Sequence, residues 1–338
     1  MLKVLCTKWI PDECVQEYED VFEFIRPDRM KGSFSQTELK GMIAEAEVLF
    51  SIAGTPVTRP IMDAGKCLKM IASLGVGFDH VDMDYADCLG LPVINSPTQV
   101  SDPTAEHTVA LIMGIFHNLY RYTAQIKRGV WSTEPFGTTQ TSVAGHVLGI
   151  IGMGRIGRCV GRKAAALGMD VSYYDLVRLS TEIEEKEGFR YGTLEEVIKE
   201  SDCISLHVPY TGENRHMFGA SAFALMKTGS YFVNAARGAL VDLKALADAL
   251  KTGRLKGAAL DVFETEPYAG GELEGMEQVI LTPHVASETW DARIHMAGEC
   301  LDGVKKLSEG IIPDNVVNKK ILKYWKGGHV TCRHVKQI

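Results

Sequence analysis

The run HVLGIIGMGRIGR, residues 146–158, constrains this chain more than any other stretch. Gly152, Gly154 and Gly157 form a G-x-G-x-x-G pattern directly after a strand-like apolar run and at the start of a helical one. Glycines at that spacing permit a tight turn, close approach of backbone to a pyrophosphate, and close packing of the following helix. The helix N-terminus then offers free N–H groups and a positive dipole end to phosphates. In a chain with 33 glycines the pattern alone can arise by chance. The context makes it specific, because an acid, Asp175, closes the next strand-like run at about the 20-residue spacing such a unit requires. A carboxylate there binds both ribose hydroxyls and repels a 2′-phosphate, which points to NAD rather than NADP.

The pattern begins only after some 145 residues of other sequence. Short apolar runs at 146–152, 169–175, 203–209, 229–236, 257–263 and 278–284 alternate with amphipathic stretches such as 155–167, 194–200 and 243–250. That alternation predicts a parallel sheet covered on both faces, and six strands are what a full dinucleotide-binding sheet needs. The first hundred residues repeat it on a smaller scale, with candidate strands at 3–9, 21–27, 47–52, 67–74 and 91–96. A helix over 292–308 follows the last of the six strands. If it crosses back to the first domain, that domain is discontinuous and the mid-chain position of the glycines is explained. The expected α/β architecture is therefore a Rossmann NAD-binding domain, residues 99–287, inserted into a smaller flavodoxin-like α/β domain made of residues 1–98 and 288–338.

Between the two lies SPTQVSDPTAEHTVALIMGIFHNLYRY. Asp102 suits an N-cap, Pro103 the first helical position, and Glu106 the positive end of the dipole. From Val109 to Phe116 the helix is apolar on nearly all sides, which predicts burial all round. Either it packs wholly within the chain or it meets a second subunit, and the apolar helix 103–120 favours the second.

Other classes are excluded by composition. A net charge of −7 argues against a general nucleic-acid binder. No apolar run approaches the roughly 20 residues needed to span a bilayer. The start, MLKVLCTKWI, reads as a strand rather than a signal peptide. Eight cysteines without a CxxC pair read as reduced, mostly buried thiols of a cytoplasmic protein, not as a disulfide frame or metal site.

Three later stretches supply groups that do chemistry. NAARGALVD puts Arg237 just past a strand end, DVFETEP puts Glu266 past the next, and LTPHVASET puts His284 past the last. Ligands of open α/β sheets bind outside the carboxyl ends of the strands, so the three converge on one crevice. Arginine holds a carboxylate with its planar fork. Histidine donates protons near neutral pH, and a carboxylate beside it stabilises imidazolium. Singly, each has an ordinary alternative: a surface ion pair, a loop acid, a core histidine. Their placement at successive strand ends is what makes them a site.

With SLGVGFDHVD, TAEHTVALIMG, GIIGMGRIG, LHVPYTGENRHM, NAARGALVD, DVFETEP and TPHVASET together, the chain resembles the D-isomer-specific 2-hydroxyacid dehydrogenases over nearly its whole length. The resemblance implies reversible hydride transfer between NAD(H) and a small 2-keto or 2-hydroxy acid, the inserted-domain layout, and a homodimer. It implies Arg237 as the substrate-binding arginine, His284 as acid/base and Glu266 as its partner. It further implies Val76 and Gly77 as backbone N–H donors to the substrate carboxylate from the facing domain. Arg155, Ile156, Asp175, His207, Pro209, Ala235 and Asp261 match cofactor-contacting positions, with Thr104 a further candidate. No metal is implied.

His80 is read as structural or pocket-lining. Trp131 is either a substrate-pocket residue reaching a partner subunit or plain interface packing, and Trp290 either lines the substrate pocket or packs a helix start. The residues after NVVN (315–318) carry Lys319, Lys320, Lys323, Lys326, Arg333 and Lys336 without an acid, and packing against the smaller domain is their simplest role. An NADH-sensing binding module on the same fold lacks its Pro- and Ser-rich tail here. Formate dehydrogenases place glutamine where Glu266 stands. Phosphoglycerate dehydrogenase stays an alternative, although many such enzymes carry an appended regulatory domain.

Overall fold

The structure, a computed structural model, describes residues 1–52, 54–131 and 140–324. The chain divides into two compact units, residues 1–100 with 287–338, and residues 101–286. Among the described residues no helix is long and apolar enough to cross a membrane.

The first unit is built on five parallel strands: β1 (Leu2–Cys6), β2 (Phe22–Ile25), β3 (Val48–Ser51), β4 (Met70–Ser73) and β5 (Val93–Asn95). Their order, β2-β1-β3-β4-β5, is the flavodoxin-like one. Successive side chains alternate between two cores. Val4, Cys6, Val48, Phe50, Met70 and Ala72 face one, and Leu5, Leu49, Ile71 and Val93 the other. This is why the strands read as continuous apolar runs. The helix Trp290–Ser308 covers the first face with Ala297, Cys300, Leu301, Val304 and Leu307, and so belongs to this unit.

The second unit holds seven parallel strands: β6 (Val147–Ile151), β7 (Asp170–Tyr174), β8 (Phe189–Tyr191), β9 (Cys203–Leu206), β10 (Ser230–Asn234), β11 (Leu255–Leu260) and β12 (Val279–Leu281). The order β12-β11-β10-β9-β6-β7-β8 is the Rossmann order extended by one strand. Six strands were expected; the one not expected is β8, the third strand of that order, and the strand that extends the order is β12. β8 has three residues and pairs only with β7 at the sheet edge, too short to show a period in sequence. The strand order reverses between β6 and β9, which is where such sheets bind ligands.

The first helix of the second unit departs from its predicted form. It spans Ser101–Phe116, so it starts before Asp102 and Pro103, and Asn118 in the left-handed region separates it from a second helix, Leu119–Lys127. One face, with Ala105, Leu111, Ile112, Ile115 and Phe116, packs into the core of the second unit. Asp102, Glu106 and Ala110 are exposed, so within the chain the helix is not buried all round.

Candidate active site

The turn after β6 shows three separate uses of glycine. Gly152 has φ 99°, in the left-handed region, and a Cβ there would lie 2.7 Å from the carbonyl of His207. A Cβ on Gly157 would lie 2.1 Å from the Gly152 carbonyl oxygen, so the helix Arg155–Ala166 seats directly on the turn. A Cβ on Gly154 would meet nothing within 4 Å. Gly154 is also the N-cap of that helix, with no side-chain cap and no acid in the first turn, where Arg155 and Ile156 stand. A helix N-terminus without a side-chain cap, beside open space at a glycine, fits a pyrophosphate.

Asp175 directly follows β7. Its Oδ2 accepts from the Met153 N–H at 2.6 Å and its Oδ1 from the Val177 N–H at 3.0 Å. The carboxylate is thereby fixed to the glycine turn, and each oxygen keeps a lone pair for a ribose hydroxyl. Across the point of order reversal, His207 continues β9 by donating its N–H to the Ile151 carbonyl. Its Nε2 lies 2.8 Å from Ser205 Oγ, and burial pushes its pKa down to about 4, so the ring is neutral at pH 7. Pro209 is exposed just beyond, and Ala235 is buried after β10. Thr104 is buried on the helix Ser101–Phe116, its carbonyl accepting from Thr108 Oγ1, and makes no hydrogen bond to another candidate among the described residues.

Arg237, Glu266 and His284 follow β10, β11 and β12. Gly238 carries the first loop against the second, since a Cβ there would lie 1.9 Å from the Phe263 carbonyl carbon. Glu266 Oε1 accepts from the Phe263 N–H at 2.9 Å, and Oε2 lies 2.9 Å from His284 Nδ1. His284 has φ 55°, which a non-glycine residue holds only when its surroundings impose it. The hydrogen bond and charge of Glu266 raise the His284 pKa, against burial and against the positive charge of Arg237 nearby. For Glu266, burial opposes the charge, but hydrogen bonds from His284 and the Phe263 N–H outweigh it and lower the pKa. Both shifts favour the ion pair. With Nδ1 on Glu266, Nε2 is the nitrogen through which His284 can pass a proton.

In the first unit, β4 runs into the loop that carries Val76 and Gly77. The Val76 carbonyl accepts from Asn95 Nδ2 at 2.9 Å, and the Gly77 carbonyl from Ser73 Oγ at 3.2 Å. With the carbonyls tied back, the Val76 and Gly77 N–H groups have no protein acceptor among the described residues. His80 Nε2 lies 3.4 Å from the same Ser73 hydroxyl.

Two comparisons decide the family. Residues 109–286 match the family described as "D-isomer specific 2-hydroxyacid dehydrogenase, NAD binding domain". The glyoxylate reductase of Thermococcus litoralis is 35% identical over 325 residues, which are 95% of this chain and 98% of that one. The chain belongs to the D-isomer-specific 2-hydroxyacid dehydrogenase family. It is accordingly an oxidoreductase of 2-hydroxy acids with an NAD-binding domain. The D-3-phosphoglycerate dehydrogenase of Methanocaldococcus jannaschii is 37% identical over 94% of this chain, which spans 60% of that relative. Among solved structures, the D-lactate dehydrogenase of Aquifex aeolicus, complexed with NAD and lactic acid, superposes with a TM-score of 0.75. It is 32% identical, and the match covers 91% of this chain and 96% of that one.

Within this dehydrogenase, sequence reasoning missed residues that shape the site. Asn234, buried at the end of β10, accepts from the Ala236 N–H and donates to the Arg237 carbonyl, fixing the turn that bears Arg237. Arg237 itself donates from Nη1 to the Ala236 carbonyl at 2.7 Å. Asp261, expected among the cofactor contacts, spends its buried carboxylate on the loop that bears His284. It accepts from the Thr282 hydroxyl and from the Val285 and Ala286 N–H groups, while its carbonyl accepts the His284 N–H. His107, on the helix Ser101–Phe116, reaches the same network, 3.2 Å from Thr282 Oγ1 and 3.6 Å from Asp261 Oδ1. Burial opposes the Asp261 charge, but these donors outweigh it and lower its pKa. Trp131 is 85% exposed and Trp290 54%. Of the basic tail, Lys320 pairs with Asp87, and residues 325–338, with Lys326, Arg333 and Lys336, lie outside the described residues.

Proposed function

We propose that this enzyme transfers hydride between NAD(H) and a small D-2-hydroxy acid or its 2-keto form, with His284 as acid/base, Glu266 as its charged partner and Arg237 binding the substrate. The observation that carries this is the His284–Glu266 pair, 2.9 Å apart and beside the charge of Arg237. In reduction, NADH when bound supplies the hydride to the carbonyl carbon. The chain's own residues supply the rest. Protonated His284 gives its Nε2 proton to the carbonyl oxygen, and Glu266 holds the ring and stabilises the imidazolium beforehand. Arg237 holds the keto acid by its carboxylate and polarises the adjacent carbonyl. The Val76 and Gly77 N–H groups, with no protein acceptor among the described residues, suit the substrate carboxylate. In oxidation the roles reverse, and neutral His284 takes the hydroxyl proton.

In this reading residues 99–287 bind NAD through the glycine turn, Arg155, Ile156, Asp175, His207, Pro209, Ala235 and the Asp261 segment. Residues 1–98 with 288–338 supply the substrate side. Asp175 beside the glycine turn supports NAD over NADP. The exposed Leu119, Tyr120, Ile126, Val130 and Trp131 support a homodimer. The seven described cysteines are all free thiols, which supports a reducing, cytoplasmic setting. The test is NADH consumption with glyoxylate, hydroxypyruvate, pyruvate and bulkier branched or aromatic 2-keto acids. Turnover with at least one small member, lost in His284→Asn, is the expected result. A trace rate with every member would overturn the proposal in favour of a binding module.

A further inference from the structure

The turn that follows Asp175 carries a second charged device. Between residues 164 and 185 the sequence has a single cation, Arg178, three residues past Asp175. Its guanidinium is spent inward. Nε donates to Glu184 Oε1 at 2.9 Å and Nη2 to Glu184 Oε2 at 2.8 Å, a two-point pairing. Glu184 is fixed in turn, since its side chain is 8% exposed and its Oε1 also accepts from the Tyr173 hydroxyl at 2.7 Å. That hydroxyl accepts from the Leu179 N–H at 2.9 Å, and Tyr173 is fully buried on β7. The guanidinium also lies 5.0 Å from the centre of the Tyr191 ring. Yet the Arg178 side chain is 57% exposed, so its outer face stands at the surface of the turn that begins with Asp175.

We propose that Glu184 is a second determinant of cofactor choice in this enzyme: by engaging the guanidinium fork of Arg178, it withholds from a 2′-phosphate the cation nearest to Asp175 in sequence. The inference rests on the reading that Asp175 faces the adenosine ribose. Arginine recognises phosphate by charge and paired hydrogen bonds, and here the Nε/Nη2 edge is committed to a carboxylate that also offsets the charge. Asp175 therefore repels the phosphate while Glu184 keeps the group that would compensate turned away. The chain excludes NADP by two carboxylates acting differently, one by direct repulsion and one by sequestration. Glutamine at 184 keeps the size, and it retains an acceptor for Tyr173, but it removes the charge that holds the fork.

The experiment measures Kd for NADH and NADPH by cofactor fluorescence, and inhibition by adenosine 2′,5′-bisphosphate against 5′-AMP. The variants are Asp175→Asn, Glu184→Gln, the double variant, and the double variant with Arg178→Gln. Adding Glu184→Gln to Asp175→Asn should tighten NADPH and the bisphosphate by about tenfold or more, leave NADH within about threefold, and lose the gain with Arg178→Gln. A gain that survives Arg178→Gln is a bulk charge effect and overturns the proposal. If Asp175→Asn shifts the preference and Glu184→Gln adds nothing, the sequestration fails while the Asp175 reading stands. If Asp175→Asn has no effect and Glu184→Gln acts through Arg178, the reverse holds. Arg178→Ala in the otherwise unaltered chain covers the case in which Glu184→Gln does not fold. It should leave bisphosphate inhibition unchanged, and weaker inhibition would mean that Arg178 already meets the phosphate, which overturns the idea.

Discussion

Replacing Glu266 with glutamine keeps the size of the side chain and an acceptor for His284 Nδ1 but removes the charge. Opposite charges about 4 Å apart attract by about 1 kcal/mol in water and about 4 kcal/mol at an effective dielectric of 20. The His284 and Glu266 side chains are 49% and 38% exposed, which places this pair toward the screened end, at about 1–2 kcal/mol. That is about a five- to thirtyfold change in the ratio of imidazolium to imidazole. Glu266 raises the His284 pKa, so its loss lowers it, and burial and Arg237 push the same way. With His284 as the proposed acid, reduction needs it protonated, so the alkaline limb of kcat/KM for the keto acid should move to lower pH. On that limb the variant should be slower by about five- to thirtyfold, with a smaller loss on the acid plateau, where His284 is charged in both forms. With His284 as the proposed base, oxidation needs it neutral, so its acid limb should also move to lower pH and the variant should gain there. The assay is a pair of pH profiles, one per direction, with single-turnover rates to establish that chemistry limits. If both limbs stay where they are, the pairing does not set the protonation of His284 and Glu266 is structural.

Arg237→Lys keeps a charge but not the planar fork, so kcat/KM should fall by about a hundredfold or more while NADH Kd stays put, and near-normal efficiency would refute the two-point role. Gly157→Ala puts a Cβ 2.1 Å from the Gly152 carbonyl oxygen, so thermal unfolding should show a loss of about 1–3 kcal/mol. Gly154→Ala, with open space at its Cβ, should fold with an unchanged Tm yet bind NADH more weakly, and unaltered binding would remove the pyrophosphate from that turn. Light scattering at micromolar concentration should give the mass of a dimer, and Leu119→Glu with Ile126→Glu should shift it to the monomer if the exposed helix Leu119–Lys127 is the interface.

The parts of this molecule that were legible in sequence are those where local pattern and chemistry coincide. The glycine turn is one, because Gly157 answers a contact within a few residues, Gly152 one with the adjoining strand, and Gly154 leaves the open space beside them. The order Arg237, Glu266, His284 at successive strand ends is another, because parallel sheets send every strand end to the same edge. The strand β8 was not legible, for three residues carry no period. The extent of the helix Ser101–Phe116 was misjudged because apolar composition reports that a helix is covered, not by what, and Asn118 breaks it without a glycine or proline to mark the place.

In each unit the supports of the candidate residues follow one rule that could have been applied to the sequence. Ser73, Asn95 and Asn234 are the last residues of β4, β5 and β10, and Asp261 directly follows β11. All four are buried, and each ends an apolar run with a polar residue. A buried polar side chain must find partners. At the carboxyl end of a parallel strand the nearest groups in need of partners are the backbone amides and carbonyls of the departing loops. Asn234 takes those of Ala236 and Arg237, Asp261 those of Val285 and Ala286, Asn95 that of Val76 and Ser73 that of Gly77. The loops that bear Arg237, His284, Val76 and Gly77 are therefore positioned by residues that do the sheet's own work of satisfying its polar ends. A polar residue closing an apolar strand marks a tethered loop, and in a parallel sheet a tethered loop at the carboxyl edge is where to look for chemistry.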